Sequence, residues 1–202
     1  MKLETKEKLK TPLRQIRYHT WILTERARGL NLTSTVSTDE LGLPSERCVG
    51  YQATTPRMKR LLKQLNIPEG ASIVDLGCGK GKAMTYMAYF PFKRIIGVEI
   101  SPELVEIARK NFARLGLDRC EVVLADAENY SIPDDVSYLF MFNPFSQTVL
   151  KGVMRNILSS LERNERKFTI IYLYAVHCDV IEESGVFQEN MDWKQYKVYT
   201  NR

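Results

Sequence analysis

The sequence predicts an α/β fold in which a mostly parallel sheet is covered by helices on both faces. Three observations carry this. From residue 72 onward, short apolar runs alternate with stretches of helical periodicity, the pattern of parallel strands joined by helical crossovers. The run 72–76 leads at once into Gly77-Cys78-Gly79-Lys80-Gly81 and then into a helical stretch, so a strand passes through a glycine turn to a helix N-terminus. Four polar side chains, Asp75, Glu99, Asp126 and Asn143, stand at or near the carboxyl ends of such strands, where open parallel sheets bind ligands.

In chain order, residues 1–10 are charged and are expected to fray. Thr11 then caps a helix opened by Pro12. Leu13, Ile16, Thr20, Leu23, Ala27 and Leu30 recur at spacings of three and four, a stripe expected to pack on the main domain, and Gly29 ends the helix. Residues 31–50 are rich in Ser and Thr, include Gly42, Pro44 and Gly50, and show no period; they read as a long loop of the kind that forms lids or binding segments. After Tyr51-Gln52-Ala53-Thr54, Thr55 is placed to cap a helix opened by Pro56, with Met58, Leu61, Leu62 and Leu65 apolar. A turn at 67–70 enters the first strand, 72–76.

The alternation then runs helix 82–89, strand 94–99, helix 102–115 with Leu104, Ile107, Ala108 and Leu115 inward, and strands 120–124 and 136–142. Helix 147–161 carries an apolar side from Val149 to Leu161; strand 168–174, a short helix 177–183 and a hairpin of 186–189 with 195–200 complete the chain. The division expected is an N-terminal helix-and-loop extension over 1–50, serving as lid or substrate region, and a ligand-binding domain over 51–202.

The 202 residues suffice for one domain with a full core, and 44% hydrophobic with 26% charged residues is the composition of a soluble globular protein. No apolar run approaches membrane-spanning length and the first residues are Lys/Glu-rich rather than signal-like, so a cytoplasmic protein is expected. Cys48, Cys78, Cys120 and Cys178 are scattered without a CxxC pair, which points to reduced thiols and away from zinc or any other metal site. The net charge of +5 is uneven: residues 1–70 hold 13 Lys/Arg against 7 Asp/Glu, and residues 71–202 hold 16 against 17. A solvated helix face accounts for that excess; a surface for an acidic substrate or nucleic acid is the competing reading.

The glycine spacing carries the chemistry. Gly77-x-Gly79-x-Gly81 departs from the dinucleotide fingerprint GxGxxG by one residue, and Asp75 precedes the turn, where an anionic pyrophosphate would be poorly served. A zwitterionic, sulfonium-bearing ligand such as S-adenosylmethionine suits that carboxylate better. Glu99, ending the next strand, is positioned for a ribose diol.

With these residues in place, the chain over roughly 51–200 resembles the class I S-adenosylmethionine-dependent methyltransferases. Val74-Asp75-Leu76-Gly77-Cys78-Gly79-Lys80-Gly81 looks like their first motif, Gly97-Val98-Glu99-Ile100-Ser101 their second, Ala125-Asp126-Ala127 their third, and Phe142-Asn143-Pro144-Phe145 stands at their fourth. The resemblance implies a doubly wound, Rossmann-like sheet of seven strands. It implies that backbone at Gly77, Cys78, Gly79 and Gly81 lines the methionine part of the cofactor, that Glu99 binds the ribose, that Ile100 packs on adenine, and that Asp126 accepts from the adenine amino group beside Ala127. It gives Asn143, Pro144 and Phe145 the acceptor: carbonyl oxygens take the hydrogens of an amine and the ring covers it. One proline of the amino-methylating pattern is missing, which weakens adenine as acceptor. The stretch from Tyr51 to Thr55 is similar to the approach segment of seven-strand protein-lysine methyltransferases, and chain order places Tyr51 over the methionine end.

The function expected is N-methylation of an amine, on a protein lysine or a small molecule. Small-molecule O-methylation is the alternative, since no catalytic base is visible; His19 and His177 have no evident partner and Cys78 reads as a packing residue. A non-catalytic S-adenosylmethionine- or nucleic-acid-binding module lacks a stacking-aromatic motif, and a nicotinamide oxidoreductase is opposed by the glycine spacing and the single-domain size.

Overall fold

The computed structural model describes residues 12–44, 47, 50–143 and 145–202; the expectations placed on residues 1–11, Cys48 and Pro144 lie outside the described residues. Among the described residues seven strands form one sheet: β1 (Ser72–Leu76), β2 (Arg94–Glu99), β3 (Cys120–Leu124), β4 (Val136–Phe142), β5 (Thr169–Leu173), β6 (Phe187–Trp193) and β7 (Tyr196–Asn201). Their order is β3-β2-β1-β4-β5-β7-β6. The first five are parallel, and β7 runs antiparallel to both β5 and β6. The order reverses between β1 and β4, which opens a crevice above their carboxyl ends.

Period-2 alternation places successive side chains of each strand on opposite faces. Ile73 joins the core formed with α3 (Arg57–Gln64), α4 (Lys82–Met87) and α5 (Pro102–Leu115), whereas Val74 and Leu76 join the core under α6 (Gln147–Arg163) and α7 (Cys178–Glu182). Both faces are therefore covered, as the burial of every residue of β1 and β5 requires. Each crossover helix is bounded by local chemistry. Ser101 accepts a hydrogen bond from Leu104 N at the start of α5, and Gly116 ends it in a left-handed conformation. On α5 the buried residues are Leu104, Val105, Ala108, Asn111 and Phe112, while Ile107 and Leu115 are only half-buried.

The N-terminal segment departs from expectation in three ways. The helix α1 (Pro12–Ala27) forms, but Ile16 is 60% and Leu23 is 64% exposed, so the apolar stripe does not pack on the main domain at these positions, while Leu30 just beyond the helix is buried. The helix is held instead by Glu25, whose Oε1 pairs with Lys82 at 2.6 Å, and by the Tyr18 hydroxyl, which donates to Thr33 O at 3.4 Å. Residues 31–50 are not all loop: Ser37 and Glu40 make a reciprocal capping box on the short helix α2 (Thr38–Leu41). Thr55 does not cap α3, whose N-cap is Pro56 with no side-chain bond. No helix among the described residues is long and apolar enough to cross a membrane.

Candidate functional site

A cavity of about 410 Å³ opens at the carboxyl ends of β1, β2, β3 and β4. The turn after β1 folds back on the sheet, with Gly77 N and Cys78 N both donating to Val98 O, at 2.8 and 3.1 Å. Gly79 has φ +54°, and a Cβ there would collide with the Tyr51 ring, so the glycine lets that ring lie against the turn. The Tyr51 hydroxyl donates to Leu32 O at 2.6 Å, and burial pushes its ionisation well above the usual tyrosine range, so the phenol stays a neutral donor. Gly81 does not line the cavity; it turns the chain into α4 against the Phe112 ring.

Glu99 ends β2 and is 5% exposed. Its Oε2 accepts from Gly79 N at 2.8 Å and its Oε1 from Ser101 N at 2.9 Å. One carboxylate thus ties the glycine turn to the start of α5, and each oxygen keeps a further lone pair for a ligand. Burial raises its pKa; the bonds from Ser101 and Gly79 pull the other way. Asp75 is 2% exposed and its Oδ2 has no hydrogen-bond partner. Burial, and then the nearby Glu99, push its pKa well above the ordinary carboxylate range. Cys78 is buried, its thiol ionisation driven up by burial and by Asp75, which removes it as a nucleophile. Its sulfur fits because position 97, across the turn, is glycine: a Cβ there would lie 2.6 Å from Cys78 Sγ.

At the other end, Asp126 Oδ1 accepts from Glu128 N at 3.0 Å, and the outer oxygen pairs with Arg47, which also reaches Glu128 Oε2 at 2.7 Å. Ile100, Ala125 and Ala127 complete that wall. At the end of β4, Asn143 is held at φ +37°, a left-handed conformation that asparagine adopts more readily than most residues, and its Oδ1 accepts from the Tyr172 hydroxyl at 3.4 Å. Phe145 lines the cavity while burying most of its ring under α6. Of the residues singled out in the sequence, Tyr51, Asp75, Gly77, Cys78, Gly79, Glu99, Ile100, Asp126, Ala127, Asn143 and Phe145 line this one space. Sequence reasoning missed Arg47, Thr54, Lys82, Phe142 and Tyr174. Two of these carried a signal: Thr54 through its place in the stretch following Tyr51, and Phe142 through its place at the start of the fourth motif.

A second layer fixes the N-terminal segment to the glycine turn. Asn111 Oδ1 accepts from Asn31 N, and its Nδ2 donates to Asn31 O and Lys80 O, all within 2.9–3.0 Å. Lys80 Nζ donates to Ser34 O at 2.9 Å. These bonds hold Leu32, and through it Tyr51, over the turn.

The donor set fits a zwitterionic nucleoside. The unpaired buried Asp75 oxygen calls for a cationic donor such as an ammonium group, and it disfavours an anionic phosphate at the same place. Glu99 offers acceptors for a diol and Asp126 for an amino group. No group of three His, Cys, Asp or Glu side chains is placed to hold a metal among the described residues.

Comparison with known proteins agrees with this. The family model described as "Methyltransferase domain" matches residues 73–185. The chain is 33% identical over 102 residues to a sterol 4-C-methyltransferase of Caenorhabditis elegans, covering 47% of this chain and 30% of that protein. It is 28% identical over 78 residues to a protein-L-isoaspartate O-methyltransferase of Pyrococcus abyssi, covering 38% and 36%. The chain thus spans about a third of the length of these curated relatives. Among solved structures, an RNA methyltransferase from Salinibacter ruber superposes with TM-score 0.56 at 21% identity, over 74% of this chain and 92% of that one, which bears on the fold. The seven-strand sheet expected from the sequence is therefore found both in the topology and in its structural relatives.

Proposed function

The chain belongs to the methyltransferase-domain family, and from that premise we propose that it transfers the methyl group of S-adenosylmethionine to an amine nitrogen. The observation that carries this reading is Asp75: a buried carboxylate with an unpaired oxygen, at a glycine turn that approaches too closely for side chains, in one cavity with Glu99 and Asp126. S-adenosylmethionine supplies a methyl group already activated on a sulfonium, so the protein's work is placement and exclusion of water. Asp75 takes the ammonium end, Glu99 the ribose hydroxyls and Asp126 the adenine amino group, with Ile100 and Ala127 against the ring. Tyr51 covers the methionine end and shields Asp75 from solvent.

The acceptor side is read from Asn143. Among the described residues its amide oxygen accepts only the long bond from Tyr172, so it retains capacity to accept an N–H and aim the nitrogen lone pair into the cavity. Phe145, and Phe142 stacked on Tyr174 at 5.3 Å, supply apolar walls that favour a neutral amine over an ammonium. An amine is favoured over a hydroxyl because no histidine lines the cavity among the described residues, and the Cys78 thiol and Tyr51 phenol are pushed up, away from service as a base. Within the same reading, residues 1–50 form the acceptor-facing segment and 51–202 the cofactor-binding domain.

The test is turnover with labelled S-adenosylmethionine across a panel of amines, in wild type and Asn143→Ala. We expect kcat to fall by about tenfold or more while S-adenosylhomocysteine affinity changes little. A variant that methylates at the wild-type rate removes the role given to Asn143.

A further inference from the structure

A second cleft of about 800 Å³ adjoins the cofactor cavity, and the two share Gln52, Thr54, Phe142 and Tyr174. Its walls come from α1, the segments 33–35 and 52–60, and the ends of β5 and β7. Two aromatic rings stand open in it: Trp21 is 39% and Tyr174 is 44% exposed. Two arginines, Arg57 and Arg60, also line it, both exposed and neither in an ion pair with any carboxylate among the described residues. No Asp or Glu is among its described lining residues.

The floor of the cleft adds to the positive field. Helix α3 begins there with Arg57 and has no acidic residue in its first turn and no side-chain cap; Met58 N and Lys59 N donate to Thr55 O and Pro56 O, both at 3.1 Å, so the helix end contributes its dipole rather than open donors. A helix of sequence RMKRLLKQ places positive charge at its own positive end, which costs stability unless an anion offsets it. Where the two cavities meet, the Thr54 hydroxyl is buried beside Tyr196 without completing a hydrogen bond.

We propose that this cleft is the acceptor site, and that it takes a planar aromatic acceptor bearing an anionic group, phosphate or carboxylate. The arginines hold the anion with the positive end of the α3 dipole behind them, Trp21 and Tyr174 flank the ring, and the reacting nitrogen passes the Phe142–Tyr174 stack to reach Asn143. A protein lysine is a poor fit, because two unpaired arginines repel a cationic side chain and no carboxylate of the cleft receives it. This assignment rests on the methyl-transfer reading above and narrows it to small anionic aromatic amines.

The experiment titrates protein saturated with S-adenosylhomocysteine against 4-aminophenyl phosphate, 4-aminobenzoate, aniline and a lysine-containing peptide. It uses the wild type and an Arg57→Gln/Arg60→Gln variant. We expect at least one anionic probe to bind about tenfold more tightly than aniline, with the gap closing in the variant and at high salt. The phosphate and carboxylate arms identify which anion is preferred. S-adenosylhomocysteine affinity should be equal in the two proteins, since neither arginine lines its cavity. The inference is overturned if aniline or the peptide binds as tightly as both anionic probes, if no anionic probe saturates, or if the preference survives in the variant. Failure of S-adenosylhomocysteine to bind wild type, measured first, overturns the methyl-transfer reading and this inference with it.

Discussion

The cofactor cavity and the cleft beside it touch at four residues, yet they are built by opposite means. The cavity is made of strand ends. Asp75 sits opposite Gly97 on β2 and Phe140 on β4, and that register fixes it before any side chain takes part. Its polar groups are backbone amides and buried carboxylates, and several are already satisfied by one another, as Glu99 is by Gly79 and Ser101. The cleft is assembled from pieces far apart in the chain and is held to the glycine turn by side-chain bonds from Glu25, Lys80 and Asn111. Its recognition groups, Trp21, Arg57, Arg60 and Tyr174, are exposed. A ligand common to a whole family can be met by backbone and buried charge, which a sheet fixes cheaply. A ligand that differs between relatives has to be met by exposed side chains on elements that can change without disturbing the sheet.

The sharpest way to break the cavity is through its backbone. In Gly79→Ala the new Cβ meets the Tyr51 ring, and that ring is pinned by its bond to Leu32 O, so it cannot yield easily. The positive φ adds strain. We expect stability to fall by about 2–4 kcal/mol in chemical denaturation, with S-adenosylhomocysteine binding lost in calorimetry. Gly116→Ala is the control. It has a similar φ of +63° but nothing within 4 Å of a new Cβ, so it should cost only about 1 kcal/mol and leave binding intact. The gap between the two variants measures the close approach rather than the strain.

Asp75 sharpens the comparison because its cost to the empty protein is the counterpart of its use. Its pKa in the folded chain is raised, by burial first and by Glu99 second. A raised carboxyl pKa contributes stability at low pH that is lost as pH rises through the folded value. Asp75→Asn removes that titration. The ligand-free variant should therefore gain on wild type as pH rises from the unfolded carboxyl value of 3.8 toward the folded pKa, by up to about 1.4 kcal/mol per pH unit, and the gain should level off above the folded pKa. With S-adenosylhomocysteine bound, the order should reverse, because the ammonium group then needs the carboxylate. Thermal melts with and without ligand, from about pH 4 upward to about pH 9, check both halves; a variant that never gains in the free state would refute the buried, uncompensated charge.

The same contrast explains what was legible in the sequence. Strand bounds from β1 to β4 agree with the expected runs because each carries an apolar core, and the polar residue at or just beyond each carboxyl end, Asp75, Glu99, Asp126 or Asn143, lands in the cavity. The cleft left no such trace. Trp21 and Tyr174 line one cleft from far apart in the chain, and nothing local marks either as a wall. Asn111 reads as a polar interruption on an apolar helix, although it satisfies three backbone groups on two distant segments, two of Asn31 and one of Lys80. The α1 stripe misled because periodicity reports which residues share a face. It does not report whether that face is the one held, and here Glu25 and Tyr18 decide the docking.

Glu25 is where the two regions are joined, and its removal should have the smallest effect. Its Oε1 takes Lys82 Nζ and Thr33 Oγ1, both at 2.6 Å, and its Oε2 takes Leu32 N at 3.1 Å. Burial alone would raise its pKa, but the bonds from Lys82 and Thr33 prevail and hold it below its ordinary value of 4.5. A depressed carboxyl pKa contributes stability above the unfolded value and loses it as pH falls through the folded one. Glu25→Gln should therefore lower stability by about 1–2 kcal/mol near neutrality, a melting shift of a few degrees. The difference from wild type should hold through the neutral range and close on acidification below 4.5. Because the pair anchors α1 and Leu32 rather than the strand ends, acceptor binding should weaken more than S-adenosylhomocysteine binding. Equal loss of both would mean that the N-terminal segment completes the cofactor cavity, through Leu32 and Tyr51, as much as it shapes the cleft.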